Sequence, residues 1–289
     1  MATPGRTSGP YPLLAAAALA FSPAAAGAQP EPFRSAPPSM TAGPTYADLA
    51  DLAESAPLVI RAKVRRLVRV EDARSPGLRP GRGRFYVEAL TRALLTGAAP
   101  LGERLAFLAD LPLDARGRPP AITKQDVLLF ARRVPGRPGE LALVAPDALL
   151  LWDAATEARL RPILTALLAP DVPARITGVR ELIQVPGNLV GEGATQIFLS
   201  TADGTAASLT VERRQDRPPR WGASFSELTA EIGNPPARET LAWYRLACFL
   251  PRSAPPSANL SDSAQARAQA EADYRMILSD LGNCQRNRR

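Results

Sequence analysis

The sequence predicts an α+β protein with an N-terminal β-barrel domain, a connecting helix, and a smaller antiparallel β region closed by C-terminal helices. Three observations support this class. Alternating and near-continuous apolar segments fill residues 58–144, which is typical of strands. Apolar residues then recur at helical spacing over 153–168, and a second alternating region follows. Finally, residues 263–281 are rich in Ala, Gln, Glu and Arg, which favour a helix.

Residues 1–28 have the features of a signal peptide. Arg6 gives a positive start, residues 13–21 are apolar, and Ala26-Gly27-Ala28 is a small-x-small cleavage site, so the mature chain should begin at Gln29. The apolar run is nine residues long, far below the ~20 that span a bilayer. The cleavage site holds no Cys to carry a lipid. We therefore expect an exported protein, periplasmic or secreted, without a transmembrane anchor.

A first domain is predicted over residues 45–152, after a disordered Pro/Ser-rich linker at 29–44. It opens with a short helix, for which Thr45 is the N-cap and Asp48 completes a capping box. Strands are predicted at 58–70, 85–95, 105–108, 127–131 and 141–144, separated by loops rich in Gly and Pro. Arg66 interrupts the alternation of the first strand and is expected to mark a bulge.

The second half begins with a connecting helix at 153–170, which should kink at Pro162 or begin just before it. Region 171–250 is predicted to hold strands at 176–185, 195–201, 207–212 and 221–225 and a helix at 239–249. Its Asp203-Gly204 is a strong hairpin signal. A linker follows at 251–262. Residues 263–289 should form a helix, capped by Ser261 or Asp262, and a basic tail.

The composition limits the chemistry available to the chain. Its formal net charge is +7, or +6 without Arg6, which favours adsorption to anionic envelope polymers or lipid headgroups. Nucleic acid is not expected as a partner, because the sequence contains no recognisable nucleic-acid module. The chain has no His, which excludes Ser-His-Asp and Cys-His catalysis and most transition-metal sites. Neither a metal nor a cofactor is predicted.

The two cysteines lie in the C-terminal quarter of the chain. Cys248 falls on the predicted helix at 239–249, and Cys284 follows the last helix, 36 residues further on. This spacing matches no CxxC redox or zinc motif. In an oxidising compartment we expect a structural disulfide between them. The alternative is a buried free thiol at Cys248 and a mobile tail that carries Cys284.

The predicted binding site is a basic face of the first strand. Its four cations are expected to project from one side of the strand: Arg61, Lys63, Arg65 and Arg69. The opposite, buried side would consist of Ile60, Ala62, Val64, Val68 and Val70. Side chains two residues apart on a strand lie roughly 6–7 Å from each other, which suits an anionic polymer or an acidic protein. The alternative is a solvated face whose charges discourage edge pairing.

Three further groups of residues have both a functional and a structural interpretation. The loop at 187–193 could cradle an anion, but it lacks the third Gly of a dinucleotide loop, and turn chemistry also explains it. Five acids could supply a carboxylate pair for glycan cleavage: Asp110, Asp114, Asp126, Glu181 and Glu192. Four aromatic residues could stack on a sugar or act as core anchors: Trp152, Trp221, Trp243 and Tyr244.

Residues 57–144 resemble the open five-stranded barrels of OB-type domains, in particular the netrin-like domains of metalloprotease inhibitors. The resemblance rests on APLVIRAKVRRLVRV, RFYVEALTRALLTG and QDVLLFARRVPG. It implies an OB-like barrel. The inhibitory mechanism of that family, which uses an N-terminal Cys and its amine, is not implied, because the mature chain would begin at Gln29. The second half, with GEGATQIFLSTADG and WYRLACFLP, resembles exported bacterial proteins of no assigned activity.

These observations favour a non-catalytic exported protein that binds a protein partner or an anionic envelope polymer. Two alternatives stay open: a structural accessory of an envelope assembly, and a His-free hydrolase that uses a carboxylate pair. A binding module should present an exposed patch, whereas a hydrolase should bring two acids together in a cleft. The sequence makes no prediction of oligomeric state.

Overall fold

The computed structural model describes residues 43–98, 101–226 and 233–288. The predicted signal peptide and the predicted linker up to residue 42 lie outside the described residues. The described chain forms a closed barrel, a helix, a second antiparallel sheet and C-terminal helices. The predicted α+β class is therefore confirmed.

Helix α1 (Tyr46–Ser55) precedes the barrel and begins with the predicted capping box. The Asp48 carboxylate accepts hydrogen bonds from the backbone N–H and the hydroxyl of Thr45, both at 2.9 Å. The Thr45 hydroxyl in turn accepts the Asp48 backbone N–H at 3.1 Å. These reciprocal bonds satisfy N–H groups that the first turn of a helix leaves without partners.

Six strands build the barrel region: β1 (Leu58–Arg69), β2 (Arg82–Thr96), β3 (Arg104–Pro112), β4 (Asp126–Arg133), β5 (Glu140–Leu143) and β6 (Leu149–Leu151). The order β1-β2-β3-β5-β4 closes on itself, because β4 pairs back with β1. Strands β3 and β5 run parallel, and the other neighbours run antiparallel. The short β6, which was not predicted from the sequence, pairs with residues 127–129 of β4, next to the residues of β4 that pair with β5.

The inner core of the barrel follows from the alternation of its strands. Val87, Phe107 and Leu129 point inward from three different strands and are at most 3% exposed. Alternate residues on the same strands project from the outer face. The outer surface of the barrel therefore lies on strands whose other face is buried.

The bulge predicted at Arg66 is present, and it changes which residues of β1 face outward. The pairing of β1 with β2 shifts between Val64 and Arg66. Beyond that shift Leu67 packs on the inner core, while Val68 is 39% exposed on the outside. The expectation that Val68 continues the buried face was therefore wrong, because the extra residue reverses the alternation.

The second half adds helix α2 (Ala154–Leu167), a four-stranded sheet, and helices α3 (Leu241–Phe249) and α4 (Ala264–Leu281). The sheet is an antiparallel meander of β7 (Ile176–Pro186), β8 (Gly193–Thr201), β9 (Ser208–Arg213) and β10 (Arg220–Ser224). One predicted alternative is excluded and one predicted cap is corrected. Helix α2 begins at Ala154, one residue after the predicted start, and runs through Pro162 rather than beginning just before it. Helix α4 is capped by Ser263, because the Ser261 hydroxyl is instead used by the backbone N–H of Gln184.

A second core joins the barrel to the rest of the chain. The outer side of β4 contributes Leu128 and Phe130, which pack with Leu160 of α2, Leu182 of β7 and Tyr244 of α3. All five side chains are completely buried. This face of the barrel is consequently covered, and the free outer face is the one formed by β1, β2, β3 and β5.

The predicted disulfide is present and links α3 to the C-terminal tail. Cys248 and Cys284 are bonded, with their Cα atoms 5.0 Å apart, so the free-thiol alternative does not hold. Beyond it, the backbone N–H groups of Asn287 and Arg288 each donate to the Asp48 carboxylate at 3.0 Å. The basic tail is thus held at the N-terminus of α1.

Candidate functional site

The most exposed apolar row of the barrel crosses three strands of its free outer face. Val68 of β1 pairs with Tyr86 of β2, and Tyr86 pairs with Leu108 of β3. These side chains are 39%, 39% and 49% exposed, respectively. Large apolar side chains of a soluble protein are rarely left in such a contiguous row without a use. We call Val68, Tyr86 and Leu108 the apolar row.

Two depressions open to solvent lie on either side of this row. The first, of about 660 Å³, has Leu108, Ala142 and Val144 among its apolar lining residues. The second, of about 690 Å³, is more polar and contains Arg65 and Arg104. The two share Tyr86, Ala106 and Glu140. Together with the apolar row they form one continuous surface, which we call the barrel face.

The charges of the barrel face fall into two groups. Arg84 is fixed by the buried Asp110 carboxylate, at 2.7 Å and 3.0 Å, and those bonds raise the pKa of the Arg84 guanidinium. Arg137 pairs with Glu140 at 3.2 Å. By contrast, three exposed arginines have no ion-pair partner within the described part of the chain: Arg65, Arg104 and Arg132.

The acids of the barrel face leave a positive surplus. Glu88 pairs with Arg66 at 3.5 Å across β1 and β2. Among the described residues that line the two depressions, Glu103 is the one acid without a cationic partner. Three free guanidinium groups therefore stand against one free carboxylate, which makes the barrel face attractive to anions.

The four cations of the predicted strand face do not form a single surface. Arg61 and Lys63 lie before the bulge and project outward. Arg69 lies after it, two residues beyond Leu67, and therefore falls on the same side of the strand as this inward-facing residue. Arg69 reaches Asp72 at 3.3 Å, at the end of the barrel. The expectation of one continuous basic face was wrong, because it assumed an unbroken alternation.

Arg61 also makes structural contacts with Asp126 and Trp152. Its guanidinium donates to Asp126 at 2.9 Å and 2.7 Å and lies 3.6 Å from the centre of the Trp152 ring. Trp152 in turn donates to Glu157, and this bond, with those from Arg161, lowers the pKa of the Glu157 carboxyl. Of the four predicted cations, Arg65 is the one that lines the barrel face, and Lys63 lies nearby in the row with Leu90 and Arg104.

The five candidate carboxylates each contact a different donor. Asp110 and Asp126 pair with arginines of β2 and β1, as described above. Asp114 accepts from the backbone N–H and the side chain of Arg118, which lower its pKa. Glu181 lies 3.7 Å from Arg180, and Glu192 accepts the backbone N–H of Gln215 at 3.4 Å. No hydrogen bond or shared donor joins any two of these acids within the described residues.

The aromatic candidates Trp221, Trp243 and Tyr244 pack in the second core. Trp243 and Tyr244 are buried in α3, and the Trp243 indole donates to the Leu281 carbonyl at 3.0 Å. Trp221 is also buried and donates to Asp280 at 2.6 Å. The predicted alternative, in which these residues are core anchors, is the one that the structure supports. The loop at 187–193 forms the turn between β7 and β8.

The apolar row is not predicted from the sequence, although the sequence contains one signal for it. Tyr86 alternates with the apolar Phe85 and Val87 in the second predicted strand, and an aromatic residue on the polar side of a strand predicts an exposed contact surface. Val68 could not be found in this way, because its outward orientation depends on the bulge. Leu108 ends the predicted third strand but lies inside the longer β3.

No group of three or more His, Cys, Asp or Glu residues in the described ranges could hold a metal ion. None of the described helices is both long enough and apolar enough to cross a membrane. A scan against models of protein families finds no match for this chain, and a search of curated proteins finds none either. The barrel face is accordingly the feature from which a function can be inferred.

Proposed function

We propose that this chain is a non-catalytic binding protein of the cell envelope, whose barrel face binds a partner protein or an anionic envelope polymer. The observation that carries the proposal is the apolar row, which is exposed in register across three strands and lies beside three unpaired arginines. Interfaces are enriched in Tyr and Arg at the positions that contribute most binding energy. Binding would remove the apolar row from water and neutralise the arginines.

The partner that fits this surface is extended and acidic. The two depressions are open rather than enclosed, and both are lined by apolar residues as well as by guanidinium groups. Arg65, Arg104 and Arg132 can each form charge-assisted hydrogen bonds with carboxylates, sulfates or phosphates. A polymer or a strand-like peptide could therefore run across β2, β3 and β5 and place an apolar group on Tyr86 and Leu108.

The binding role is better supported than a His-free hydrolase. A carboxylate-dependent glycosidase needs two acids on opposite sides of the scissile bond, one of them with a raised pKa. The candidate acids instead contact separate arginines or backbone N–H groups. An exported location belongs to the same proposal, and the disulfide supports it because such bonds persist in oxidising compartments.

Site-specific photocrosslinking tests where the partner binds. A photoreactive residue is placed at Leu108 in the full chain and, as a control, at Leu151, which is 56% exposed on β6. We expect a discrete crosslinked product in expressing cells from position 108 and none from position 151. Equal products from both positions would contradict the assignment of the barrel face. A product from neither position, combined with no binding of polyglutamate or dextran sulfate by the purified protein, would do so as well.

A further inference from the structure

The turn between β7 and β8, together with the end of β7, carries the most exposed apolar side chains of the second sheet. Val185, Leu189 and Val190 are 58%, 54% and 99% exposed, respectively. The sequence from Leu182 to Gly191 contains no charged residue. Leu189 and Val190 project from the turn and Val185 from the end of β7, and the barrel face does not include them.

The turn is held by its own backbone. Gly187 donates to the Glu192 carbonyl at 2.9 Å, and Glu192 donates to the Leu189 carbonyl at 3.1 Å. Below them Pro186 pairs with Gly193, where the regular ladder of β7 and β8 begins. Leu189 and Val190 therefore project from a closed turn at the end of the sheet.

An arginine-rich turn lies at the same end of the sheet. Gly193 pairs with Arg213, and the backbone N–H of Gln215 reaches the Glu192 carboxylate, so the turn between β9 and β10 adjoins the apolar one. Residues 212–220 contain four arginines and two acids. Their net charge is therefore +2.

Two of these arginines are available to a ligand. Arg213 is bound by the buried Asp273, and Arg214 pairs with Glu212 at 3.3 Å. Arg217 and Arg220 are exposed and have no side-chain partner within the described ranges. Asp216 is the opposing exposed acid on this turn, so the free charges of the turn sum to one positive charge. Glu192 of the adjoining turn is half-buried, and its carboxylate accepts the Gln215 N–H without a cationic partner within the described ranges.

We propose that this end of the second sheet binds an anionic lipid surface. Leu189 and Val190 would enter the boundary between headgroups and acyl chains, and Arg217 and Arg220 would contact lipid phosphates. An apolar tip that projects into solvent needs an apolar phase that can deform around it, and a bilayer interface supplies one. An anionic polymer would satisfy the arginines but leave the tip in water. This inference does not depend on the function proposed for the barrel face.

Cosedimentation of the full chain with vesicles tests this proposal. One set of vesicles contains phosphatidylglycerol and phosphatidylcholine in equal amounts, and the other contains phosphatidylcholine alone. We expect binding to the anionic vesicles to exceed binding to the neutral ones by about fivefold. This corresponds to the single net positive charge of the free groups on the turn, since a basic residue near an anionic surface contributes ~1 kcal/mol.

Matched variants separate the tip from general hydrophobicity and charge. Replacing Leu189 and Val190 with Ser should reduce the partition coefficient at least tenfold, whereas Leu168→Ser, at a residue 73% exposed at the end of α2, should not change it. The pair Arg217→Ser and Arg220→Ser should abolish the preference for anionic vesicles. The same change at Arg74 and Arg116, exposed arginines that belong neither to this turn nor to the barrel face, should leave vesicle binding and its anionic preference intact.

A direct readout comes from Val190→Trp, whose emission should shift to shorter wavelength with anionic vesicles and be quenched by brominated lipid. Absence of binding to either kind of vesicle would overturn the proposal and leave the tip as a contact for a protein. Binding that survives the Leu189→Ser and Val190→Ser changes would overturn it too. If no crosslinked product formed from position 108 while vesicle binding was present, this would contradict the function proposed for the barrel face and leave the lipid-binding proposal intact.

Discussion

Removal of the Cys248–Cys284 disulfide should lower the free energy of unfolding by about 4 kcal/mol. The perturbation is the double replacement Cys248→Ala and Cys284→Ala, which keeps both Cβ atoms. The bond closes a segment with a sequence separation of 36. The chain-entropy model assigns about 3 kcal/mol to a loop of 15 residues and about 4.7 kcal/mol to one of 100 residues. The observed separation lies between these, which gives the value of about 4 kcal/mol.

The two cysteines are half-buried, so the loss of sulfur contacts should add little to this value. Urea unfolding followed by circular dichroism would measure the difference between the oxidised wild type and the double variant. The reduced wild type should match the double variant, and reductant should not change the variant further. A difference below about 1 kcal/mol, or two titratable thiols in the denatured and unreduced chain, would refute the reasoning.

Three further predictions concern the second half of the chain and α1. Asp273→Ala should destabilise the fold by about 3 kcal/mol in the same urea assay, because it leaves Arg213 partly buried without its carboxylate; a loss below 1 kcal/mol would contradict this. Burial raises the pKa of Asp51, but hydrogen bonds from an arginine and a tyrosine outweigh it, and the pKa lies below its ordinary value of 3.8. Because the folded pKa is the lower one, the stabilisation is present above pH 3.8 and is lost as the pH falls through the folded value. Wild type should therefore exceed Asp51→Asn in stability at pH 6, and the difference should shrink in acid; a difference independent of pH would argue against this. Gly222→Ala should lower the free energy of unfolding by about 1–3 kcal/mol, since the added Cβ would overlap the backbone of Gly233. An unchanged melting temperature would contradict this expectation.

The elements that local patterns specify could be predicted from the sequence. The capping box of α1 needs only Thr45 and Asp48, which are close neighbours in the chain. The bulge at Arg66 could be predicted because it interrupts a simple alternation. The disulfide could be predicted because there are two cysteines and a chain reversal between them.

The candidate site could not be predicted from the same patterns. Its apolar row depends on the register of three strands, and that register changes at the bulge. A shift of one residue moves every later side chain to the opposite face, so Val68 was assigned inward and Arg69 outward. Whether an arginine is free also depends on distant acids, as the pairing of Arg61 with Asp126 illustrates.

The most direct test of the barrel face is an affinity measurement with the crosslinked partner or, failing a protein, with polyglutamate. The pair Tyr86→Ser and Leu108→Ser should weaken binding about 30-fold, since truncation of a central interface residue costs about 2 kcal/mol or more. Leu151→Ser should stay within twofold of wild type. Raising the salt concentration from 0.1 M to 1 M should weaken wild-type binding more than that of an Arg104→Ser and Arg132→Ser variant. Equal affinities for the wild type and the Tyr86→Ser, Leu108→Ser pair would contradict the proposal that the barrel face is the binding surface.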